Sequence, residues 1–286
     1  MVEIYTIGGY NEVGKNMTAV KIGDDVMVFD AGLYMPSFID LQEREQEKNT
    51  KLSEKHLRIM GVLPDDELLK RSGLHDKVRA FLIGHAHLDH LGAVQYLAPK
   101  YRADVVGTPY TMAVLKQLIE DEQNHVPNQM KSIVPNGTYT IRGKKDYQVE
   151  FINMTHSTLQ TALVALHTPQ GVIVYANDYK LDNTPILGDK PNYDALKRLQ
   201  KEGVKALIID SLYAGEERKT PSERIARDYL EEILLTINNK DNAIFVTTFS
   251  SHIARIKSIV DFGKKTNREI IFLGRSLKKY SLELLV

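Results

Sequence analysis

The sequence predicts an α/β protein in which apolar β-strands alternate with amphipathic helices, and three observations lead to that prediction. Short apolar runs bounded by glycine, proline or aspartate recur along the chain, which is the pattern of buried strands. Apolar stripes with helical spacing lie between several of them, for example at 109–122. Near the C-terminus, the order strand, helix, strand predicts a β-α-β unit with parallel strands and a right-handed crossover.

Strands are predicted mainly in the first three quarters of the chain. The segments 17–22 and 26–29 flank Gly23-Asp24-Asp25, which is a hairpin signal. The predicted strands are 2–7, 17–22, 26–29, 78–83, 104–106, 132–134, 138–141, 147–153, 161–167, 171–175, 206–209, 243–246 and 269–273.

Helices are predicted between and after these strands. The charge-rich segment 41–77 is expected to be a helical insertion on the surface, because charge runs of this kind usually form solvated faces. The other predicted helices are 92–98, 109–122, 193–202, 221–238 and 250–265.

The amino-acid composition limits the kinds of functional site that the chain can contain. The chain has no cysteine, which excludes disulfides, thiolate metal sites and a cysteine nucleophile and fits a reducing compartment. Lys+Arg and Asp+Glu number 37 each, so any binding site for a polyanion must come from local clustering of charge. No apolar run reaches the roughly 20 residues of a membrane helix, and the N-terminus does not resemble a signal peptide. We therefore expect a cytoplasmic protein without a membrane segment.

The densest chemical signal is the segment His85-Ala86-His87-Leu88-Asp89-His90, which follows the apolar run 78–83. Imidazole and carboxylate are common zinc ligands. His85 and His87 alternate with other residues, so an extended chain directs both to one side, whereas Asp89 and His90 follow a turn toward a helix. One tight loop could thus serve two metal ions.

Three further polar residues also follow the ends of apolar strands: Asp30, His156 and Asp178. Taken singly, each could be an ordinary turn or surface residue. Ligands gather where a rigid sheet positions them, and all three share this position with the histidine loop. Together they favour a metal site. The glycine-rich loop Gly8 to Asn16 fits either a plain turn or a ligand-binding loop.

The segment Thr247-Thr248-Phe249-Ser250-Ser251-His252 lies between a predicted strand and a predicted helix. Hydroxyls and free N–H groups at a helix N-terminus can hold a phosphate. The alternative is that Ser250 or Ser251 only caps the helix. Arg275 and Ser276 follow the next predicted strand and add polar groups at the same sheet end.

These motifs resemble those of the metallo-β-lactamase superfamily: His-x-His-x-Asp-His at 85–90, Asp30, Thr155-His156-Ser157 and Asn177-Asp178-Tyr179. Five further segments resemble the ribonuclease J family of that superfamily, in particular its archaeal type. They are 8–17, Asp210-Ser211, Thr220-Pro221-Ser222-Glu223, 247–251 and Gly274-Arg275-Ser276.

The resemblance implies a fold and its domains. The fold would be an αββα metallo-β-lactamase sandwich, incomplete at its C-terminal end, followed by part of an α/β domain of the β-CASP group with a parallel sheet. Residues 1–211 would form the first domain, including the insertion 41–77, and residues 212–286 the N-terminal part of the second.

The resemblance also implies roles for single residues. His85, His87 and His156 would bind one zinc ion, Asp89 and His90 a second, and Asp178 both. Asp89, His90 and Asp178 would take part directly in catalysis, and Asp30 and Asp210 would support the ligands by hydrogen bonds. Contacts to RNA phosphates would come from Thr248, Ser250, Ser251, His252, Arg275 and Ser276.

The implied activity is zinc-dependent hydrolysis of single-stranded RNA by a homo-oligomer, as a 5′-to-3′ exonuclease with endonuclease activity left open. Family members continue past the position of Val286 with two more histidine motifs, so we expect a truncated member with a weak second metal site. Two alternatives stay open. One is a thioester or lactone hydrolase with the same metal cradle, and the other is a non-catalytic RNA-binding scaffold subunit.

Overall fold

Two β-sheets stacked face to face organise the chain in the computed structural model, which describes residues 1–46, 52–176, 178–237, 242–274 and 276–277. Helices cover the outer face of each sheet. The resulting order of layers is helix, sheet, sheet, helix, so the predicted αββα sandwich is confirmed.

The first sheet has six strands whose spatial order follows the sequence. Its strands are β1 (Val2–Gly8), β2 (Met17–Ile22), β3 (Asp25–Phe29), β4 (Val78–Ile83), β5 (Asp104–Gly107) and β6 (Met130–Ser132). The first three are antiparallel, which confirms the predicted hairpin. From β3 to β6 all pairs are parallel, so the C-terminal ends of these strands share one edge. The strand predicted at 132–134 lies two residues earlier.

The second sheet has five strands in the spatial order β11-β10-β9-β8-β7. They are β7 (Thr138–Arg142), β8 (Asp146–Asn153), β9 (Ala162–Thr168), β10 (Gly171–Ala176) and β11 (Val204–Ile209). The pairs are antiparallel except β10 with β11. That parallel pair needs a crossover helix, which lies at Tyr193–Glu202.

Helices α1 to α6 belong to the outer side of the first sheet, and α7 to that of the second. Their bounds are α1 (Met35–Gln46), α2 (Glu54–Ile59), α3 (Glu67–Arg71), α4 (Leu88–Leu91), α5 (Val94–Leu97), α6 (Pro109–Asp121) and α7 (Tyr193–Glu202). Short 3₁₀ helices lie at His75–Lys77 and Ala98–Lys100. The helix predicted at 92–98 is shorter in the structure, Val94–Leu97, and is followed directly by the 3₁₀ helix at Ala98–Lys100.

The helices of the predicted insertion do more than cover the surface. Leu57 of α2 and Leu69 of α3 are fully buried in the same cluster as the outer side chains of the first sheet. Charged residues do lie on their outer sides, as in the ion pair of Arg71 with the exposed Asp65. The insertion therefore contributes to the core, which the charge pattern alone did not indicate.

Three hydrophobic clusters hold the layers together. The cluster between the two sheets contains Phe29, Leu82, Phe151 and Val164, all fully buried. A second cluster lies between the first sheet and helices α1 to α6, and a third between the second sheet and α7. The alternation of side chains along each strand supplies one face to each neighbouring layer.

Two helices follow the sandwich, α8 (Glu223–Thr236) and α9 (Ile253–Lys265). They pack against each other, and Arg227 of α8 lies over the ring of Phe262 and bonds Asp261, both of α9. The strands predicted at 243–246 and 269–273 are wrong: the described residues there form no hydrogen-bonded ladder. Phe245 is 86% exposed and Ile271 72% exposed, so no second layer covers these segments within the described chain. An apolar run forms a strand where neighbouring elements bury it, and these two segments lack such neighbours within the described chain.

Over the part of the chain that the structure describes, every helix is too short or too polar to cross a lipid bilayer.

Candidate metal centre

The histidine loop begins where β4 ends, at the edge of the first sheet where the parallel strands have their C-terminal ends. His85 and His87 lie on extended chain, and His87 is the N-cap residue of the short helix α4. Asp89 and His90 lie in the first turn of that helix, so the backbone changes direction between the two halves of the motif. As predicted, Asp89 and His90 therefore follow a turn into a helix, whereas His85 and His87 precede it.

Three imidazole nitrogens meet at one point. His87 Nδ1 lies 3.1 Å from His85 Nε2 and 3.2 Å from His156 Nε2. Two nitrogens of a tetrahedral zinc site, each about 2.0–2.1 Å from the ion, are about 3.3 Å apart, so these separations fit a metal closely. His85 is fully buried, and its Nδ1 has no hydrogen-bond partner among the described residues. A bound cation would offset the cost of burying this ring.

A second group of ligand atoms lies beside the first. His90 Nε2 is 3.5 Å from Asp89 Oδ2 and 3.6 Å from Asp178 Oδ2. The same Asp178 oxygen is 3.9 Å from His156 Nε2, so its carboxylate belongs to both groups. In each group the ligand atoms lie within 4.8 Å of one another. Asp178, just after β10, and His156, in the loop after β8, thus join the ligand groups that the histidine loop begins.

Burial keeps the first group neutral. It lowers the pKa of His85 well below its ordinary value, that of His87 to about 4 and that of His156 to about 3, with the neighbouring histidines adding to the effect at His85 and His156. Neutral imidazole is the form that binds metals. These three side chains are therefore ready to bind a metal at neutral pH.

In the second group, by contrast, the charged forms of His90 and Asp178 are favoured. Burial alone would lower the pKa of His90, but Asp89 and Asp30 overcome it and raise that pKa well above its ordinary value. Burial likewise opposes ionisation of Asp178, whose pKa is nevertheless lowered by His90 and His156. Without metal, His90 therefore keeps its proton. A metal ion that binds to the second group would displace this proton from His90.

Asp30 bonds the ring nitrogen of His90 that faces away from Asp89 and Asp178. Its Oδ2 lies 2.7 Å from His90 Nδ1, and its Oδ1 accepts a hydrogen bond from the N–H of Gly84 at 2.9 Å. The residue is fully buried at the end of β3 and has a φ of 55°. Because Nδ1 faces a carboxylate, it carries the proton, and Nε2 is directed at Asp89 and Asp178.

Two supporting residues were not predicted from the sequence. Asn16 Nδ2 donates to the carbonyl oxygen of Asp89 at 3.0 Å and lies 3.0 Å from His90 Nε2. Ser157 Oγ lies 3.2 Å from His87 Nε2. With Nδ1 of His87 in the metal cluster, the Nε2–H group donates to Ser157. Asn16 stands in the glycine-rich loop and Ser157 next to His156, but neither position by itself indicates which atom is bonded.

Close backbone approach explains one glycine of the site. A Cβ at Gly32 would lie 1.5 Å from the carbonyl oxygen of Asp89. The N–H of Gly32 donates to the carbonyl of Asn16, and that of Ala31 to the carbonyl of His90. The chain after β3 therefore lies directly against the histidine loop, which only glycine allows at this position.

A cavity of about 370 Å³ opens beside the second group. The glycine-rich loop forms one wall, and Asp89, His90 and Asp178 lie at its base. Asp210 also lines this cavity, but its Oδ1 accepts a hydrogen bond from the N–H of Leu212 at 2.9 Å. It makes no hydrogen bond to a metal-group residue within the described chain, so its predicted supporting role stays a prediction.

Of the residues predicted to contact RNA phosphates, His252 is the one that the structure connects to the metal centre. The expected serine cap is wrong: His252 is the N-cap of α9, because its Nδ1 accepts from the N–H of Arg255 at 3.4 Å. His252 is near the metal centre, since the N–H of the next residue, Ile253, donates to the carbonyl of Ser157 at 3.1 Å.

The other predicted phosphate contacts have no hydrogen bond to a residue of the two metal groups within the described chain. Thr248, Ser250 and Ser251 are half-buried in the loop before α9, and Ser276 is exposed. Arg275 lies outside the described residues. The phosphate contacts of these five residues therefore stay predictions.

The sandwich and its two adjoining groups of metal ligands define a class of protein. The model of the metallo-β-lactamase superfamily matches residues 10–202, and the chain belongs to that superfamily. A second model, described as the β-CASP domain of ribonuclease J, matches residues 241–283.

The curated relatives are more specific. The chain is 41% identical over 283 residues to a ribonuclease J of Pyrococcus abyssi and 40% identical over 280 residues to one of Methanocaldococcus jannaschii. Each alignment covers 98% of this chain and 61% of the relative. The predicted resemblance to ribonuclease J is confirmed, and the chain spans about three fifths of the length of these relatives.

A solved structure supports the fold alone. A protein of unknown function from Enterococcus faecalis superposes with a TM-score of 0.66 at 18% identity, covering 98% of this chain and 67% of that one.

Proposed function

We propose that this chain carries the metal centre of a ribonuclease that hydrolyses phosphodiester bonds of single-stranded RNA. The observation that carries the proposal is the convergence of three neutral imidazole nitrogens beside a second group that shares Asp178. The ribonuclease J relatives supply the substrate class. No cysteine is available, so the ligands are nitrogen and oxygen, a donor set that suits zinc.

Each residue would have a defined task. His85, His87 and His156 would hold one ion, Asp89 and His90 the other, and Asp178 would contact both. When bound, such a pair of ions activates water and neutralises charge on a phosphate. Asp30 and Asn16 orient His90, and Ser157 orients His87, so the ligand atoms are fixed before the substrate arrives.

Phosphate contacts position RNA without reading its sequence, so we expect weak sequence preference. By analogy with the relatives we propose 5′-to-3′ exonuclease activity, with internal cleavage as a further outcome to be measured. Cytoplasmic localisation, a homo-oligomeric assembly and the division at residue 211 stay predictions.

Two alternatives would use the same residues. A thioester or lactone hydrolase needs the metal cradle but no RNA-binding surface beside it, whereas a scaffold subunit needs no metal. The ribonuclease is favoured because two adjoining groups of candidate ligands share Asp178 and because a β-CASP model of ribonuclease J matches the C-terminal segment.

The test combines metal analysis with RNA hydrolysis. We expect about two zinc ions for an intact pair of sites, and RNA labelled separately at its 5′ and 3′ ends to be degraded by the metal-loaded chain. His87→Ala should lose metal and activity. His125→Ala is the matched control, because His125 is exposed and far from the cluster in sequence. A metal-free chain that binds RNA without cleaving it would support the scaffold, and cleavage of a thioester but not RNA would support the other hydrolase.

A further inference from the structure

A groove of about 1030 Å³ lies at the opposite edge of the sandwich from the metal centre. Five cationic side chains line it, and with Tyr139 they define what we call the basic groove. The cationic residues are Arg79, Arg102, Lys131, Arg142 and Lys144. We propose that the basic groove binds the backbone of single-stranded RNA at a distance from the metal centre. The proposal deepens the proposed function and rests on it for the class of ligand.

Strand direction fixes the position of the groove. Arg79 is the second residue of β4, and Arg102 lies just before β5, which is parallel to β4. Lys131 of β6 is level with Leu82 through Val106, so the groove extends from that edge along the side of the first sheet. Arg142 and Lys144 lie at the turn where β8 begins, whereas β8 ends close to His156. At about 3.3 Å per residue, six to eight strand residues place Arg79 and the turn that holds Arg142 and Lys144 roughly 20–25 Å from the histidine loop.

The charge of the groove is local and unbalanced. Its lining contains the five cations and two carboxylates, Asp104 and Asp146, and the buried Asp25 pairs with Arg79, so cations outnumber carboxylates five to three. Within the described residues, Arg102, Lys131, Arg142 and Lys144 have no ion-pair partner. Cations that no carboxylate neutralises are available to phosphates, and a polyanion releases its counterions on binding them.

A buried carboxylate holds the basic turn in place. Asp25 is fully buried; its Oδ1 accepts from Arg79 Nε at 2.7 Å and its Oδ2 from the N–H of Lys144 at 2.7 Å. A Cβ at Gly143 would lie 2.6 Å from the same carboxylate. The turn therefore packs directly on Asp25, and its cations are presented on a fixed backbone. Less conformational entropy is then lost when a ligand binds.

An aromatic ring lies among these cations. Tyr139 is half-buried, and its hydroxyl donates to Asp104 Oδ2 at 2.6 Å, which fixes the ring at the groove. Proteins that bind single-stranded nucleic acid without sequence preference combine two features. Cations contact the phosphate backbone, and an aromatic ring stacks against a base. An acidic peptide would use the cations but would have no base to stack on Tyr139.

The test is RNA binding by the full chain in the presence of a chelator, so that hydrolysis does not interfere. Fluorescence anisotropy would be measured over a range of salt concentrations with a labelled RNA of about 20 nucleotides and a short one of about 3, because only the longer one spans both sites. Arg142→Ala/Lys144→Ala is the groove variant. Lys70→Ala/Lys116→Ala, which removes two exposed cations elsewhere, is the matched control.

We expect the groove variant to bind the long RNA about 5- to 20-fold more weakly and to lower the salt slope by about 1.4, since each lost phosphate contact removes about 0.7. The control should bind like the unmodified chain. Tyr139→Leu should weaken binding with little change of the slope, whereas Tyr139→Phe, which keeps the ring, should not.

Equal affinity and equal slope for the groove variant and the control would overturn the proposal, as would tighter binding of poly-glutamate than of RNA. Hydrolysis of the short RNA by the metal-loaded groove variant is measured separately. If hydrolysis is intact while binding of the long RNA is unchanged, only the groove assignment fails. If binding depends on the groove and no variant hydrolyses RNA, the groove stands and the proposed function fails.

Discussion

At the scale of single residues, hydrogen bonds to the outer nitrogens of the histidines decide which nitrogen faces the metal. Asp30 bonds Nδ1 of His90 and Ser157 bonds Nε2 of His87, so the two rings present different atoms to the centre. The ligand type can be predicted from sequence spacing, but the presented atom depends on these partners from distant segments.

Replacing Ser157 tests this role. Ser157→Ala removes the acceptor of the His87 Nε2–H group and should weaken metal binding about 10-fold, a typical loss for a ligand-orienting partner. Ser157→Thr keeps the hydroxyl and should retain the affinity. Isothermal titration of each metal-free variant with zinc provides the measurement. Equal affinities for the alanine and threonine variants would show that the hydroxyl does not orient His87.

The buried histidines also predict how stability depends on pH. In the folded protein without metal, burial lowers the pKa of His87 to about 4 and that of His156 to about 3, whereas in the unfolded chain both are about 6.5. The unfolded chain then binds more protons in acid at these two positions, so the stability that depends on the neutral rings of His87 and His156 is complete above about pH 6.5 and falls as the pH drops toward 4.

Urea unfolding of the chelated protein at successive pH values measures this loss. His156→Gln should flatten the dependence, because glutamine does not titrate. His125→Ala, at an exposed position, should leave it unchanged. A free energy of unfolding that stays constant from about pH 6.5 to pH 4.5 in the unmodified protein would contradict the assignment of neutral buried imidazoles.

At the scale of elements, helices α8 and α9 are joined to the sandwich at their N-terminal ends. Glu223, the first residue of α8, is buried; its carboxylate accepts from Arg255 of α9, and His252 lies 3.4 Å away. The N–H of Glu223 donates to Asp182 at 2.8 Å. Both helices therefore begin beside the metal centre, and N–H groups of their first turns are bonded to Asp182 in α8 and to Ser157 and His252 in α9.

Glu223→Gln should lower the free energy of unfolding by about 1–3 kcal/mol at neutral pH, because Arg255 would lose a buried charged partner. Burial opposes ionisation of Glu223, but His252 and Arg255 lower its pKa to about 2. The stability that this carboxylate contributes is therefore present above about pH 4.3 and lost as the pH falls toward 2.

The variant should show less acid destabilisation in that window, measured by urea unfolding. Glu231→Gln is the control, because Glu231 forms a surface ion pair with Lys265 between the same two helices, and such pairs contribute at most about 1 kcal/mol. If both variants lose the same stability, burial of the Glu223 pair has no special role.

At the scale of the whole molecule, the layer between the sheets determines the separation of β4 from β8 and β10, and therefore whether Asp178 and His156 reach the histidine loop. Phe151 on β8 is fully buried in that layer. Each metal group takes residues from both sheets, so the packing between the sheets and the geometry of the site are coupled.

Phe151→Ala should lower the free energy of unfolding by about 3–5 kcal/mol through loss of burial and formation of a cavity. It should also weaken zinc binding, since the two sheets would be less firmly held at their common edge. Phe245→Ala, at a position 86% exposed, should change neither quantity. Full retention of zinc affinity in a destabilised Phe151→Ala protein would show that the site is independent of this layer.

Much of this protein was determined by local sequence. Apolar runs predicted most strands, and residues at their ends predicted the candidate metal ligands, because strand alternation and the ends of parallel strands follow from backbone geometry alone. Prediction was wrong where burial decides the outcome. Residues 243–246 and 269–273 have strand-like sequences but lack a covering layer, and Leu57 and Leu69 of a charge-rich segment are buried.

Only the tertiary structure decided which atoms meet. Ser157 and Asn16 acquire their roles from segments far away in the chain, and Gly32 is required by the backbone of Asp89, some 57 residues later. The basic groove likewise draws its cations from four separate segments of a chain with no net charge. Such contacts depend on how strands from distant parts of the chain are placed side by side, and local spacing does not carry that information.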